Sequence, residues 1–173
     1  MKTLKILLVV VVILAIAGIF LPQKYKVSRD LVIRAPVTAI QKHVADMDNW
    51  MRWTVWEEAI PPEGKSPAQM ESGTGSGLYL TGNDGSGWFV VTDDSGVDGF
   101  KYVVFSSSGD KSKANVTFTD MDGDTKVSWT VAGSVSKPAV LAPYLAMGKE
   151  FLVGSSLNQN LKNLKKLVEQ EDR

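Results

Sequence analysis

The sequence predicts an α+β fold in which a curved antiparallel sheet wraps around a long C-terminal helix, with one transmembrane helix ahead of it. Three observations predict it. Tyr25, Val27, Leu31 and Ile33 recur with period two against Lys24, Lys26, Ser28, Asp30 and Arg34, the pattern of a half-buried strand. A series of short strand-like segments follows, punctuated by Asn83-Asp84-Gly85, Asp98-Gly99 and Asp122-Gly123, as in an antiparallel meander. From about Pro143 the apolar period becomes helical and stays so almost to the C-terminus.

The first element is the uncharged run Ile6 to Leu21, flanked by Lys2 and Lys5 on one side and by Pro22, Lys24 and Lys26 on the other. A membrane-spanning helix needs roughly 17 to 25 apolar residues, so this run, extended by Leu4, lies at the short end of that range. Ala15-Ile16-Ala17 offers a small-x-small site, which makes a cleaved signal segment the rival. Gly18 to Leu21 keep the segment apolar beyond that site, so an uncleaved anchor is the expected state. Residues 1–22 are therefore set apart as membrane anchor or signal segment, and residues 23–173 as one globular domain. Lys2 and Lys5 nearly balance Lys24, Lys26 and Arg29, which leaves the face open, and the short basic start points to an exported domain.

After the first strand, Pro36 suits the first turn of a helix in which Val37, Ile40, Val44 and Met47 form an apolar stripe. Trp50, Trp53 and Trp56 follow at intervals of three, and Ile60 to Pro67, with its prolines, reads as a surface loop. Strands are predicted over Ala68–Glu71, Gly77–Thr81, Gly87–Thr92, Phe100–Ser106, Lys113–Thr119 and Thr125–Ala132. In the last two, Val116 and Phe118, then Val127, Trp129 and Val131, are assigned to the inner face. The closing helix, Pro143 to Gln170, would extend about 42 Å, with Phe151, Leu157, Leu161, Leu164 and Val168 as its buried stripe.

Charge and composition exclude several functions. The 19 basic side chains match the 19 acidic ones, and without Lys2 and Lys5 the remainder is 17 against 19, so no nucleic-acid partner is expected. The chain has no cysteine, which removes disulfides, thiol catalysis and cysteine metal sites.

The chemical candidates are few. His43 is the single histidine, and it reads as a partly exposed helix residue because no orienting partner can be named. Asp120-Met-Asp-Gly-Asp124 resembles the start of a calcium loop, but its glycine falls fourth and its twelfth position is Val131, so a hairpin turn is the better reading. Gly73-Thr-Gly-Ser-Gly77 precedes a strand and lacks the lysine of a phosphate loop. No catalytic set, metal site or cofactor is expected.

The order of strand, short helices, antiparallel strands and one long terminal helix is that of a helix-grip fold. The sequence resembles the polyketide cyclase/dehydrase and lipid-transport superfamily, also called SRPBCC or START-like, especially its small bacterial membrane-anchored members. The resemblance rests on Leu21-Pro22, Tyr25-Lys26-Val27-Ser28-Arg29 and Ile33-Arg34-Ala35-Pro36, then on Asp46 with Trp50, Trp53 and Trp56. It continues through Gly73-Thr-Gly75-Ser-Gly77, Thr125-Lys126-Val127-Ser128-Trp129 and Leu161-Lys-Asn-Leu164. It implies an elongated cavity for an apolar or amphipathic small molecule or lipid.

Trp50, Trp53 and Trp56 either plug the end of the core or line a cavity mouth. Trp88, Phe100, Tyr102, Phe118, Trp129 and Phe151 are candidate wall residues on the same argument, and Gly148 and Gly154 leave space beside the helix or mark close packing. The expected protein is a monomeric, membrane-anchored, non-catalytic carrier or sensor. The alternatives are a cyclase or dehydratase drawing on His43, Glu57, Glu58 or Tyr102, and an interaction protein whose cavity has collapsed.

Overall fold

The computed structural model describes residues 2–45, 47–55, 58–60, 77–82, 85–94, 96–106, 109–136, 138 and 140–171. Helix α1 (Lys2–Phe20) leads into strand β1 (Lys24–Ile33), on which Tyr25, Val27 and Ile33 are buried and Lys24, Lys26 and Ser28 are exposed, as the alternation predicts. Pro36 caps α2 (Val37–Val44), and a 3-10 helix, Met47–Arg52, follows. Strands β2 (Glu58–Ile60), β3 (Gly77–Gly82), β4 (Gly85–Asp94), β5 (Gly99–Ser106), β6 (Lys111–Met121) and β7 (Asp124–Ser134) precede helix α3 (Ala142–Glu171). The predicted strand Ala68–Glu71 and the Gly73–Ser76 stretch lie outside the described residues. Strand β2 starts where the sequence suggested only the approach to a loop.

The seven described strands form one antiparallel sheet in the order β1-β7-β6-β5-β4-β3-β2. This corrects the expectation of a curved sheet wrapped around the helix: the sheet is open, neither curled nor closed. Its edges β1 and β2 do not pair, because the chain between them runs through α2 and the 3-10 helix and delivers β2 to the opposite side. Helix α3 lies along the other edge, chiefly on β1 and secondarily on β7. The α+β class, the antiparallel sheet and the long terminal helix hold. Four strands, β1, β7, β6 and β5, supply buried apolar positions to the core that α2, the tryptophans and α3 complete.

Local sequence fixes these pairings. Between β6 and β7 a two-residue turn places Asp122 at φ 56° and Gly123 at φ 100°, the doubly positive pattern that matches strand twist, and Asp120 Oδ1 accepts the Gly123 N–H at 3.2 Å. Gly99 opens β5 at φ 131°, and a Cβ there would fall 2.1 Å from the Val116 carbonyl oxygen. Only glycine lets β5 lie this close to β6. The second half of α3 buries Leu157, Leu161, Leu164 and Val168, the predicted stripe. Phe151 does not belong to it: six residues before Leu157 turns a side chain about 120° away from that face, and Phe151 is 77% exposed.

Candidate functional site

Three places on the described chain gather chemistry: the aromatic cluster, the C-terminal end of α3, and a cleft beside its first half.

The turn that continues the 3-10 helix, in which the Trp53 N–H donates to the Trp50 carbonyl at 3.2 Å, brings Trp50 and Trp53 together with ring centroids 5.6 Å apart. Trp50 meets Tyr102 at 5.5 Å and Phe100 at 6.0 Å, and Trp53 meets Trp129 at 5.8 Å, in the tilted and edge-on geometries that aromatic rings favour. The polar handles are used internally. The indole N–H groups of Trp50 and Trp53 donate to the Val44 and His43 carbonyls at 2.9 and 3.1 Å, satisfying the last turn of α2. The Trp129 Nε1–H donates to the Tyr102 hydroxyl at 2.9 Å. Burial is the main cause that pushes the Tyr102 phenol far above its ordinary value, with the Trp129 hydrogen bond acting weakly against it. Trp50 is 0% exposed, so five predicted wall residues, Trp50, Trp53, Phe100, Tyr102 and Trp129, meet as a ring-on-ring filling of the core.

Of the other four, the two whose side chains are described stand apart. Phe118 is half-buried at the margin of the core, and Phe151 points to solvent. Trp88 lies on β4 opposite Phe105, and Trp56 lies outside the described residues, as does Glu57.

At the C-terminal end of α3, Glu171 gathers three bases from α2 and the 3-10 helix. Its carboxylate lies 2.9 Å from Arg52 Nη2, 3.4 Å from Lys42 Nζ and 3.2 Å from His43 Nε2. His43, expected to be partly exposed, is 3% exposed, because the end of α3 closes over the flank of α2. Its Nε2 makes no hydrogen bond of good geometry despite the short distance. Burial therefore dominates and lowers the His43 pKa, with Glu171 pulling the other way and Lys42 and Arg52 adding to the lowering. Glu171 is itself lowered, first by the hydrogen bond from Arg52. The partner that sequence reasoning could not name for His43 is thus Glu171, at the far end of the chain. Among the described residues no group of three or more His, Asp and Glu side chains is set to hold a metal.

The cleft was not legible in the list of wall residues. It measures about 290 Å³ and is lined by Val135, Tyr144, Leu145, Gly148 and Leu152, with Asp110 and Lys149 as its charged members. Asp110 is held in place: its Oδ1 accepts from the Ser136 amide at 3.2 Å and the Ser136 hydroxyl at 3.0 Å, and its Oδ2 lies 3.8 Å from Lys149 Nζ. Gly148 faces open space, with nothing within 4 Å of where a Cβ would stand. Gly154, one half-turn past the cleft, is the opposite case: a Cβ there would meet Arg29 Nη2 at 2.5 Å and Val27 Cγ1 at 3.4 Å. Of the two glycines singled out in the sequence, one borders space and the other seats a guanidinium. The cleft can take an apolar body against Val135, Leu145 and Leu152 and a polar end against Asp110, Lys149 or the Tyr144 ring edge.

Comparison with known proteins agrees with this architecture. The family model described as polyketide cyclase / dehydrase and lipid transport matches residues 24–169. A START superfamily protein from Mycobacterium smegmatis superposes with a TM-score of 0.63 at 16% identity, over 84% of this chain and 97% of its own. The protein MLL2253 from Mesorhizobium loti gives 0.59 at 14% identity, over 84% and 98%. The protein BH1534 from Bacillus halodurans gives 0.60 at 12% identity, over 83% and 96%. At such identities these likenesses establish the fold alone. No curated protein matches the sequence.

Proposed function

The chain belongs to the polyketide cyclase/dehydrase and lipid transport family, and from that premise we propose that it is a membrane-anchored binding domain for an amphipathic small molecule, acting as a carrier or sensor rather than as a catalyst. The observation that carries this reading is the cleft beside α3, apolar over most of its lining and charged at Asp110 and Lys149. The aromatic cluster serves it indirectly. With its rings in mutual contact and its N–H groups spent on protein acceptors, it builds the rigid floor of the domain.

The anchor in this reading is α1, long and apolar enough to cross a membrane, with a mean hydropathy of 2.9 over its best window and 6% of that window buried. His43 and Glu171 form a histidine–carboxylate contact at 3.2 Å. We read it as a closure of α3 onto α2, because His43 is buried and two cations, Lys42 and Arg52, already share the Glu171 carboxylate.

Native mass spectrometry of the full-length chain in mild detergent, after exposure to a mixed lipid extract, tests the proposal. A discrete adduct is expected on the natural chain and should be lost in Gly148→Phe, which fills the cleft from a position that faces open space. Absence of any adduct, or an adduct indifferent to Gly148→Phe, would overturn it.

A further inference from the structure

Helix α3 has two different outward faces. In its second half the exposed positions are polar: Asn158, Gln159, Lys162, Lys166 and Gln170. In its first half, and in the turn that leads into it, they are apolar apart from Glu150 and Ser155. Val140, Met147 and Phe151 form one exposed row with half-buried Tyr144, and Leu141, Leu145 and Leu152 form the adjacent row with Gly148. Spacings of three and four residues make these rows neighbours, so they merge into one broad apolar surface. Isolated exposed apolar residues need no explanation, but a continuous surface of this kind marks an interaction site.

Two further observations identify what covers it. Helix α1 ends against the start of this surface: a Cβ on Gly18 would lie 2.7 Å from the Val140 carbonyl oxygen and 3.3 Å from Tyr144 Cε2. The apolar exterior of α1, on which Leu8, Ile13, Ile16, Ile19 and Phe20 are exposed, is therefore continuous with that of α3. Charge is also divided along the sheet. The end from which α1 departs carries Lys24, Lys26, Lys111 and Lys113, all exposed, with Lys26 and Lys113 flanking Ala132 in one cross-strand row. Asp110 at this end is already bound to Ser136 and Lys149, and Glu150 lies on α3. The opposite end carries Asp120, Asp122 and Asp124 at the β6–β7 turn, and Lys126 there is already paired to Asp30 at 3.2 Å.

We propose that the outward face of the first half of α3 is a docking surface for the anionic lipid bilayer in which α1 is anchored. A helix with one apolar outward face lies in the headgroup region with that face toward the acyl chains, and the lysines at this end of the sheet, on the face away from α3, turn toward lipid phosphates. The cleft shares Tyr144, Leu145, Gly148 and Leu152 with this face, so its occupant exchanges with the bilayer without crossing water. This inference rests on the reading of α1 as an anchor.

The chain lacks cysteine, so single-cysteine variants can each carry one environment-sensitive fluorophore. Four positions in the full-length chain are compared in phosphatidylcholine–phosphatidylglycerol vesicles containing spin-labelled lipid: Leu145→Cys and Phe151→Cys on the face, Ile13→Cys in α1 and Asp122→Cys at the acidic end. Docking predicts loss of roughly half the emission at Leu145 and Phe151, as at Ile13, and almost none at Asp122. Quenching at Ile13 alone would overturn docking and leave the anchor standing. No quenching at Ile13 would overturn both. Energy transfer between Phe151 labels on different molecules, in place of lipid quenching, would assign the face to a second copy of the chain and overturn the proposal.

Discussion

The two halves of α3 differ in where their apolar side chains go. From Leu157 to Val168 every apolar stripe residue is buried against the sheet and α2, the outward side is polar, and Glu171 fastens the end to Lys42, His43 and Arg52. From Val140 to Leu152 only Ala142, Pro143 and Ala146 are buried, and the large apolar side chains point outward around a cleft. A single 30-residue helix thus does two jobs. One half supplies folding energy, and the other spends its apolar residues on something outside the chain.

The comparison is tested most severely by exchanging the roles of leucines. Leu161→Ala should cost about 2–5 kcal/mol, the range for emptying a packed site, whereas Leu145→Ala should stay within about 0.5 kcal/mol. Urea unfolding of the full-length chain in detergent, followed by tryptophan emission, would show it, and equal losses would erase the distinction. Next in size is Asn160→Ala. The Asn160 Oδ1 is buried in the second half and accepts the Val55 N–H at 2.8 Å, fixing the chain just after Trp53. Leaving that amide without a partner should cost about 1–3 kcal/mol in the same assay, and a neutral result would show that water replaces the side chain.

The helical glycines sharpen the contrast further. Gly148→Ala should stabilise by about 0.5–1 kcal/mol, since the added methyl meets open space and helix propensity improves. Gly154→Ala should fall short of that gain because Arg29 must move aside. Equal gains would mean that the Arg29 seat is incidental.

The smallest effect concerns pH. The folded-state pKa of His43 is lowered by burial, so the folded chain binds fewer protons there than the unfolded chain does. Stability from this site is complete above the ordinary histidine value of 6.5 and declines as pH falls through it toward the lowered value. Glu171, also lowered, adds loss in the same direction below its ordinary value of 4.5. His43→Gln should flatten the stability profile around pH 6.5, and an unchanged profile would exclude His43 as its source.

Much of the fold was legible because burial is one-sided in β1, β6, β7 and the second half of α3, where a period of two or of 3.6 writes itself into the residue pattern. The turn at Asp122-Gly123 was legible for a local reason, the demand for positive φ. The openness of the sheet was not, because which strand forms an edge depends on where a connection lands rather than on the strand. Glu171 could not be matched to His43 for a similar reason, since only the packing of α3 on α2 unites them. Phe151, expected in the buried stripe, is out of phase with it: a wheel drawn from Leu157 puts it outside. The same wheel would have shown Leu141, Leu145 and Leu152 aligned with Gly148, the one signal in the sequence that pointed to the cleft.

The most direct measurement is hydrogen–deuterium exchange on the full-length chain in phosphatidylcholine–phosphatidylglycerol vesicles, comparing the natural sequence with the double variant Leu145→Glu and Phe151→Glu. If the first half of α3 closes against the bilayer, the variant should exchange faster across residues 140–152 and unchanged across residues 157–168. Identical exchange in both proteins, or loosening that spreads through Leu157 to Val168, would contradict the division of α3 into a folding half and a docking half.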